Sequence, residues 1–368
     1  MVTKRNFAGD DCSLIGFGCM RFPCDSEGKI DEAEAYKMLD AAYESGVNYY
    51  DTAYPYHNGM SEPFIGRWMK RYPRESIKLA TKLPVWLVKS REDAIRLFNE
   101  QLERLDVEYF DYYLLHSIRC DSWENVVLKF DIIPLMEEFQ AQGKIKHLGF
   151  SFHDDYAVFE EMLNYRKWDF CQIQYNYIDT EHQAGDKGYE LAKSMGVPMV
   201  IMEPIRGGLL ASLPEDVEEK FRAMDGSKTL ADWALSWVAT HDNVKVVLSG
   251  MSTMEQVKGN IDTFTDFISL TDEQMDGIKD IVTYINSKVK NKCTGCRYCM
   301  PCPFGVYIPK NFQKWNEFGM YGRVPRGYKI DTWTADKCKG CRACVDKCPQ
   351  SIDIPSNLKQ MLVDIIGN

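Results

Sequence analysis

Eight of the chain's cysteines lie in two short runs near the C-terminal end of the sequence. The runs span residues 293–302 and 338–348, and a proline follows each of them. Thiolates are the ligands that soft iron prefers, and three closely spaced cysteines can wrap one face of a 4Fe-4S cluster while a fourth comes from elsewhere in the chain. The two runs therefore predict iron-sulfur chemistry and, since there are two of them, two clusters.

The spacing within the runs predicts how the cysteines are shared. The second run matches the pattern C-x2-C-x2-C-x3-C-P of bacterial two-cluster ferredoxins, whereas the first is one residue shorter before its fourth cysteine, Cys302. In that pattern the fourth cysteine of each run ligates the other cluster. The predicted ligand sets are Cys293, Cys296, Cys299 and Cys348 for one cluster, and Cys338, Cys341, Cys344 and Cys302 for the other. Zinc is the alternative, because C-x2-C pairs also form tetrahedral zinc sites, but four cysteines in tandem favour iron.

A second set of candidate residues lies farther toward the N-terminus. Asp51, Lys82 and His116 each stand at the last position of a predicted strand, and Tyr56 follows Asp51 by five residues. In a barrel of parallel strands, polar residues at the C-terminal strand ends point into the active-site mouth. There they could move a proton to or from a substrate oxygen. The alternative is a structural Asp51–Lys82 ion pair beside a histidine that only packs.

The elements that would position these residues follow a regular rhythm. Short β-rich runs alternate with longer amphipathic stretches up to about residue 250, which is typical of βα units around a parallel sheet. We predict strands at residues 13–19, 47–51, 77–82, 110–116, 145–151, 170–175, 197–203 and 244–250. Eight such units favour a TIM (β/α)8 barrel over an open doubly wound sheet. Further helices are expected between residues 254 and 289, the second beginning near 271, and at 356–366.

The four strand-end and loop residues resemble the catalytic tetrad of aldo-keto reductases. The matching segments are GVNYYDTAYPY around Asp51 and Tyr56, LATK ending at Lys82, and DYYLLH ending at His116. The segments LIGFGCMR, LGFSFH and GGLL also stand where that family has its cofactor-lining residues, so the resemblance covers the whole barrel. With its cysteine runs, the chain resembles the iron-sulfur-containing members, in which a barrel precedes a two-cluster ferredoxin-like domain.

This resemblance implies an oxidoreductase that interconverts a carbonyl and an alcohol. Hydride transfer to a carbonyl builds negative charge on oxygen, which requires a proton donor and an electropositive setting. Tyr56 would be the acid or base, and Lys82 would lower its pKa from the usual value of about 10. Asp51 would hold the lysine, and His116 would donate a hydrogen bond to the substrate oxygen. The competing function is an electron-carrier or redox-sensing subunit whose barrel binds a nucleotide without turnover.

The cofactor of the barrel would be NADH, NADPH or flavin mononucleotide. The resemblance, together with the usual phosphate loops of such barrels, places three groups of residues near it. They are Cys19, Met20 and Arg21 after the first strand, Ser151 and Gln172 at the carboxamide, and Arg206, Gly207, Gly208, Ser252, Thr253 and Gln256 around the phosphates. Many NADPH-using relatives have a Lys or Arg near the start of the segment that here reads MSTMEQVKGN, residues 251–260. In this chain the first base of that segment is Lys258, which argues against NADPH.

The iron-sulfur clusters bear on the same choice of cofactor. A 4Fe-4S cluster passes one electron at a time, whereas a hydride carries two. A flavin converts between the two modes well and a nicotinamide does so poorly. Clusters that pass electrons therefore favour a flavin, and clusters that only stabilise the fold suit a nicotinamide.

Charge and composition limit which classes of partner the chain is expected to bind. The formal net charge is -10, but residues 290–350 carry twelve Lys and Arg against four Asp and Glu, so this segment is +8 and the remainder -18. The basic segment could attract an acidic ferredoxin or flavodoxin. No apolar run reaches the length of a membrane span, so membranes and nucleic acid are not expected partners, and a small carbonyl or alcohol substrate is.

The expected organisation has two domains. Residues 1–288 would form the barrel and residues 289–368 the ferredoxin-like domain with its C-terminal helix. The first residues show no secretory pattern, and the free cysteines suit a reducing compartment, so we expect a cytoplasmic protein.

Overall fold

The computed structural model describes residues 1–323 and 334–366. Residues 324–333, which fall in the expected C-terminal domain, lie outside the described residues. The chain divides into two compact units, one formed by residues 1–208 and 231–271 and the other by residues 209–230 and 272–368. Among the described residues, no helix is both long and apolar enough to cross a membrane.

The chain opens with a β-hairpin that the sequence analysis did not predict. Strands β1 (Lys4–Phe7) and β2 (Asp10–Ser13) pair antiparallel. Phe7 and Cys12 of the hairpin are fully buried and belong to one apolar cluster with residues such as Tyr112 of the barrel interior. The hairpin therefore contributes to the core under the barrel strands.

Eight parallel strands form a closed barrel, which confirms the predicted TIM (β/α)8 architecture and excludes the open sheet. They are β3 Ile15–Gly18, β4 Tyr49–Asp51, β5 Lys78–Leu83, β6 Phe110–Ile118, β7 Ile145–Phe152, β8 Phe170–Gln174, β9 Met199–Met202 and β10 Val244–Ser249. Pairing of β10 with β3 closes the ring. The first strand is shorter than predicted, because Ser13 belongs to the hairpin, and β6 continues two residues beyond His116.

Helices follow the strands, and side-chain caps set several of their starts. In chain order they are α1 Glu32–Glu44, α2 Ser61–Met69, α3 Arg91–Leu105, α4 Cys120–Ser122, α5 Ile132–Ala141, α6 Tyr156–Tyr165, α7 Gly185–Ser194, α8 Glu215–Met224, α9 Leu230–Thr240, α10 Met254–Phe264, α11 Asp272–Ser287, α12 Ile308–Tyr321 and α13 Ile354–Ile366. Asp31 caps α1 and Ser90 caps α3: each side chain accepts a hydrogen bond from the backbone N–H of the third residue of its helix. The predicted helices after the barrel are α10, α11 and α13.

The C-terminal unit has its own core. The core is built from α12, α13 and the segments beside the cysteines, with Phe312, Leu358 and Met361 almost fully buried. The indole Nε1 of Trp315 on α12 donates to Asp364 on α13 over 2.9 Å. Helix α12 lies between the two cysteine runs and was not predicted, because the cysteine, proline and glycine content of the region dominated the sequence pattern.

Candidate functional site

Three of the four tetrad residues are in direct contact inside the barrel. The Nζ of Lys82 on β5 lies 2.6 Å from Asp51 Oδ1 and donates to the Thr52 carbonyl over 2.8 Å. The same Nζ lies 3.4 Å from the hydroxyl of Tyr56, in the loop after β4. Lys82 and Asp51 are only 1% and 2% exposed. The structure thus brings together an acid, an amine and a phenol at the carboxyl ends of two adjacent strands.

The charge state of this group follows from burial and contact. Burial works to lower the pKa of Lys82, but Asp51 and Tyr56 outweigh it, so that pKa lies above its usual value and the amine stays charged. Burial raises the pKa of Tyr56, and Lys82 opposes this only in part. Lys82 therefore acts on the tyrosine in the predicted direction, but burial outweighs it and the pKa of Tyr56 lies above its usual value. Tyr56 is a protonated phenol at neutral pH.

His116 completes the group from β6. Its ring lies edge-on to Tyr56, with 6.2 Å between centroids, and 4.9 Å from the half-exposed ring of Trp86. Burial, with a smaller contribution from the Lys82 charge, holds the pKa of His116 well below its usual value. Its Nδ1 is buried without a hydrogen-bond partner in the described part of the chain. A neutral imidazole in this place can donate one hydrogen bond to a ligand oxygen.

Ser151 and Gln172 lie at neighbouring strand ends, on β7 and β8, and Cα pairing joins them directly. Ser151 Oγ accepts from the backbone N–H of Ser117 over 2.7 Å. The amide nitrogen of Gln172 reaches Met202 Sδ, but its Oε1 is buried with no partner among the described residues. An unpaired buried acceptor is costly, and an N–H donor such as that of a carboxamide would satisfy it. These two residues therefore fit the predicted carboxamide contact.

Arg21 lies where the predicted phosphate loops meet. Its side chain is close enough to Gly250 that a Cβ there would lie 3.1 Å from it, and a Cβ on Gly207 would lie 3.6 Å from its guanidinium. Gly207 and Gly208 have φ of 63° and 93°, values that favour glycine. Ser252 Oγ donates to the Arg21 carbonyl over 2.7 Å. The arginine is exposed and brings a positive charge to this edge, as an anion site requires.

The start of α10 follows the predicted capping pattern. Thr253 Oγ1 accepts from the backbone N–H of Gln256 over 3.3 Å, and Gln256 Oε1 accepts from Ser252 N over 2.8 Å. Arg206, the predicted phosphate contact ahead of Gly207, pairs through its Nε with Asp179 over 3.1 Å. The charge of Arg206 is partly neutralised by that carboxylate, whereas Arg21 forms no ion pair among residues 1–323 and 334–366.

Cys19 and Met20 differ sharply in exposure. Cys19 is fully buried, and burial raises the pKa of its thiol well above the usual value, so it is an unreactive neighbour of the tetrad. Met20 is 57% exposed and lies on the mouth side of the strand end.

The eight cysteines of the C-terminal unit line two separate cavities. One cavity is lined by Cys293, Cys296, Cys299 and Cys348. A second is lined by Cys302, Cys338, Cys341 and Cys344. The grouping is the one that the exchange of fourth cysteines predicts, and it includes Cys302 despite its shorter spacing. Ile308 and Ile354 belong to the lining of both cavities.

The cysteines of each cavity are not drawn together around a single point in this structure. No group of three or more His, Cys, Asp or Glu side chains in residues 1–323 and 334–366 is close enough to hold one metal ion. Around one zinc ion, with Zn–S distances of about 2.3 Å, four sulfurs would lie only about 3.8 Å apart. Four cysteines facing one cavity supply the four thiolates that a 4Fe-4S cubane takes.

Two buried polar residues beside the tetrad were missed by the sequence analysis. Gln101 on α3 and Glu62 on α2 are both fully buried. A signal was present for Gln101, because it occupies the apolar face of its helix between Phe98 and Leu105. A polar residue at such a position usually has a hydrogen-bonding reason.

Two family models match the chain. The model described as aldo/keto reductase family matches residues 14–283. The model described as 4Fe-4S dicluster domain matches residues 292–352. Together they cover the barrel and both cysteine runs.

Individual relatives resemble the barrel. The chain is 24% identical to the NADH-specific methylglyoxal reductase of Escherichia coli over 281 residues, which are 64% of this chain and 83% of the relative. It is 26% identical to L-galactose dehydrogenase of Arabidopsis thaliana over 287 residues, covering 71% and 87%. The solved structure of aldo-keto reductase AKR11C1 from Bacillus halodurans in its holo form matches with a TM-score of 0.64 and 27% identity, covering 76% and 96%.

Proposed function

The chain belongs to the aldo/keto reductase family, and from that premise we propose that its barrel interconverts a carbonyl and an alcohol by hydride transfer. The observation that carries the proposal is the contact series from Asp51 Oδ1 to Lys82 Nζ (2.6 Å) and from Lys82 Nζ to the Tyr56 hydroxyl (3.4 Å). A structural ion pair would not need a phenol beside it. The series supports a proton donor held next to a fixed positive charge.

The roles of the residues follow from their charge states. His116, as a neutral imidazole, and Tyr56, as a protonated phenol, would both donate hydrogen bonds to the substrate carbonyl oxygen. As negative charge builds on that oxygen, the proton of Tyr56 moves to it, and Lys82 stabilises the phenolate that remains. Asp51 keeps the amine charged and in place. In the reverse direction Tyr56 takes the proton from an alcohol.

A nicotinamide or flavin cofactor would supply the hydride, and we propose a nicotinamide used as NADH. The unpaired Oε1 of Gln172 and the neighbouring Ser151 would hold the carboxamide. Arg21, Gly207 and the capped start of α10 would hold the phosphates. Residues 251–257 contain no Lys or Arg, which supports NADH over NADPH, because the 2'-phosphate of NADPH needs a cation in this segment. Flavin mononucleotide is the alternative that cofactor extraction tests.

We also propose that the cysteine cavities hold two 4Fe-4S clusters that pass electrons. Each would be ligated by the three leading cysteines of one run and the fourth of the other. Exposed basic residues beside the cavities, among them Arg297 and Lys339, would steer an acidic ferredoxin or flavodoxin toward them. An electron-carrier subunit with a non-catalytic barrel remains the competing function.

Removal of the Tyr56 hydroxyl distinguishes a catalytic barrel from an electron-carrier subunit. Tyr56→Phe should lower turnover by at least about a thousandfold, because it deletes the proton donor and leaves the aromatic ring in place. Methylglyoxal reduction by NADH and L-galactose oxidation, the reactions suggested by the relatives' names, are the starting assays, with NAD+ as the oxidant supplied in the second. A Tyr56→Phe protein with unchanged turnover would refute the catalytic barrel. The control is Tyr54→Phe in the same loop, which should retain activity.

Anaerobic purification tests the cofactors directly. Iron and sulfide analysis should give about eight of each per chain if both cavities hold 4Fe-4S clusters. Release of bound small molecules by heat, followed by an absorbance spectrum, should show no flavin if the barrel uses NADH. Stoichiometric flavin mononucleotide in the supernatant would overturn the nicotinamide proposal and leave the cluster proposal standing.

A further inference from the structure

A buried polar network lies next to the tetrad, where α2 and α3 pack against β5. Its centre is the pair Glu62 on α2 and Gln101 on α3, both 0% exposed. Packing alone does not call for either residue, since Gln101 shares its helix face with Phe98 and Leu105. Burying a carboxylate and an amide costs free energy unless their hydrogen bonds are made. The partners of these bonds therefore indicate what the network holds.

The network is hydrogen-bonded to the backbone of β5, the strand that carries Lys82. Gln101 Nε2 lies 3.0 Å from the carbonyl oxygen of Lys82 and 2.6 Å from Glu62 Oε1. Thr81 Oγ1 donates to the same Glu62 oxygen over 2.7 Å. The hydroxyl of Tyr113 donates to Gln101 Oε1 over 2.7 Å, which fixes the amide with its nitrogen toward Lys82.

The same network reaches the loop that carries Tyr56. Arg104 on α3 lies 3.5 Å from Glu62 Oε2, and its guanidinium stacks over the Tyr54 ring with 3.9 Å to the centroid. Ser61, next to Glu62, shares a 2.9 Å hydrogen bond with Thr52, whose carbonyl accepts from Lys82 Nζ. The two sides of the Lys82–Tyr56 contact are thus tied to one buried pair.

We propose that Glu62 and Gln101 are positioning residues that keep the Lys82 amine and the Tyr56 hydroxyl at the separation needed for proton transfer. The proposal rests on the proposed function, because it concerns the geometry of that same site. Neither residue touches the reacting atoms. Displacements of about 1 Å at a reacting centre can lower rates by about a hundredfold, so loss of the network should be visible in kcat.

The central experiment replaces Gln101 by methionine, which keeps the length of the side chain and removes its hydrogen bonds. With methylglyoxal and NADH as probes, Gln101→Met should lower kcat roughly tenfold or more while KM changes less than about twofold, because substrate contacts are left in place. Tyr113→Phe, which removes only the hydroxyl that orients the amide, should lower kcat about threefold and serves if Gln101→Met does not fold.

A matched control separates positioning from stability. Asp111 is a carboxylate 1% exposed whose Oδ2 accepts from the backbone N–H of Leu79 on β5, the same strand, over 3.1 Å. Asp111→Asn should lower the melting temperature without lowering kcat. Conversely Glu62→Gln, which keeps an acceptor for Thr81, should retain most of kcat, whereas Glu62→Met should lose it as Gln101→Met does.

Two outcomes distinguish this inference from the proposed function. If Tyr56→Phe abolishes turnover but both Gln101→Met and Glu62→Met keep wild-type kcat, the positioning role is wrong and the proposed function stands. If Tyr56→Phe keeps turnover, the proposed function fails first.

A readout that needs no turnover is acylation of Lys82 by acetic anhydride, followed by mass spectrometry. Labelling should rise in Gln101→Met and stay low in Asp111→Asn, and equal labelling of the two would overturn the proposal.

Discussion

At the scale of single residues, the site is defined by one lysine with three partners. Lys82 Nζ contacts a carboxylate, a backbone carbonyl and a phenol, and these occupy the directions in which an ammonium group donates. An arginine could not replace it, because a planar guanidinium does not fit three converging partners. This explains why a fully buried charge is tolerated here.

The pKa directions at this site predict a pH profile. Because burial raises the pKa of Tyr56, the phenol keeps its proton through neutral pH, and carbonyl reduction should fall only above about pH 10. Because the pKa of His116 is well below its usual value, its imidazole stays neutral, and no loss of rate is expected between about pH 8 and 6. Initial rates with methylglyoxal and NADH across this range check both limbs. An acidic limb near pH 6.5 that vanishes in His116→Gln would contradict the neutral imidazole.

At the scale of elements, the fourth cysteine of each run joins two loops that are distant in sequence. Cys348 faces the cavity of the first run and Cys302 that of the second. Helices α12 and α13 pack over both loops, with Trp315 and Asp364 joining the two helices. Each cavity is therefore lined by cysteines of both runs, and neither run lines its cavity alone.

This exchange predicts the effect of removing one ligand. Cys348→Ser should abolish or weaken the cluster bound by Cys293, Cys296 and Cys299 and leave the other intact, giving about four iron atoms per chain in place of about eight. Iron analysis and electron paramagnetic resonance of the dithionite-reduced protein would measure this. Cys171→Ser, which changes a buried cysteine of the barrel, is the control and should keep full iron. Loss of the cluster bound by the second run in Cys348→Ser would show that the fourth cysteines are not exchanged.

At the scale of the whole molecule, charge is divided between the ends of the sequence. The basic segment at residues 290–350 carries +8, while the rest carries -18. Two oxidised clusters, each near -2 with its thiolates, would leave this segment at about +4. Both signs are therefore present in one chain, and an acidic partner has a defined region to approach.

The charge distribution predicts a salt-dependent electron-transfer rate. Reduction of the clusters by an acidic plant-type ferredoxin should slow roughly tenfold between low and high ionic strength, since steering is screened beyond a Debye length. Lys339→Glu, beside the second cavity, should lower the low-salt rate. Lys29→Glu, at an exposed site in the barrel unit, should not. A rate that ignores ionic strength would argue against steering, and stopped-flow bleaching of the cluster absorbance would measure it.

How far the sequence predicts this molecule depends on whether a signal is local. The barrel strands, the tetrad and the cysteine grouping each have a spacing signature, and the structure places them as expected. The hairpin at Lys4–Ser13 was missed because its two strands are four residues each and merge with the first barrel strand in the pattern. The pairing of Arg206 with Asp179 and the pKa of Tyr56 depend on burial and long-range contact, which no local pattern encodes.

The shared wall between the cysteine cavities has an electrochemical consequence. Ile308 and Ile354 line both cavities, so two clusters bound there would share an apolar wall. In so apolar a gap, the charge of a first added electron is poorly screened at the second cluster. A potentiometric titration would then show two waves belonging to the pair instead of one wave per independent centre, with the second electron entering at a more negative potential than the first.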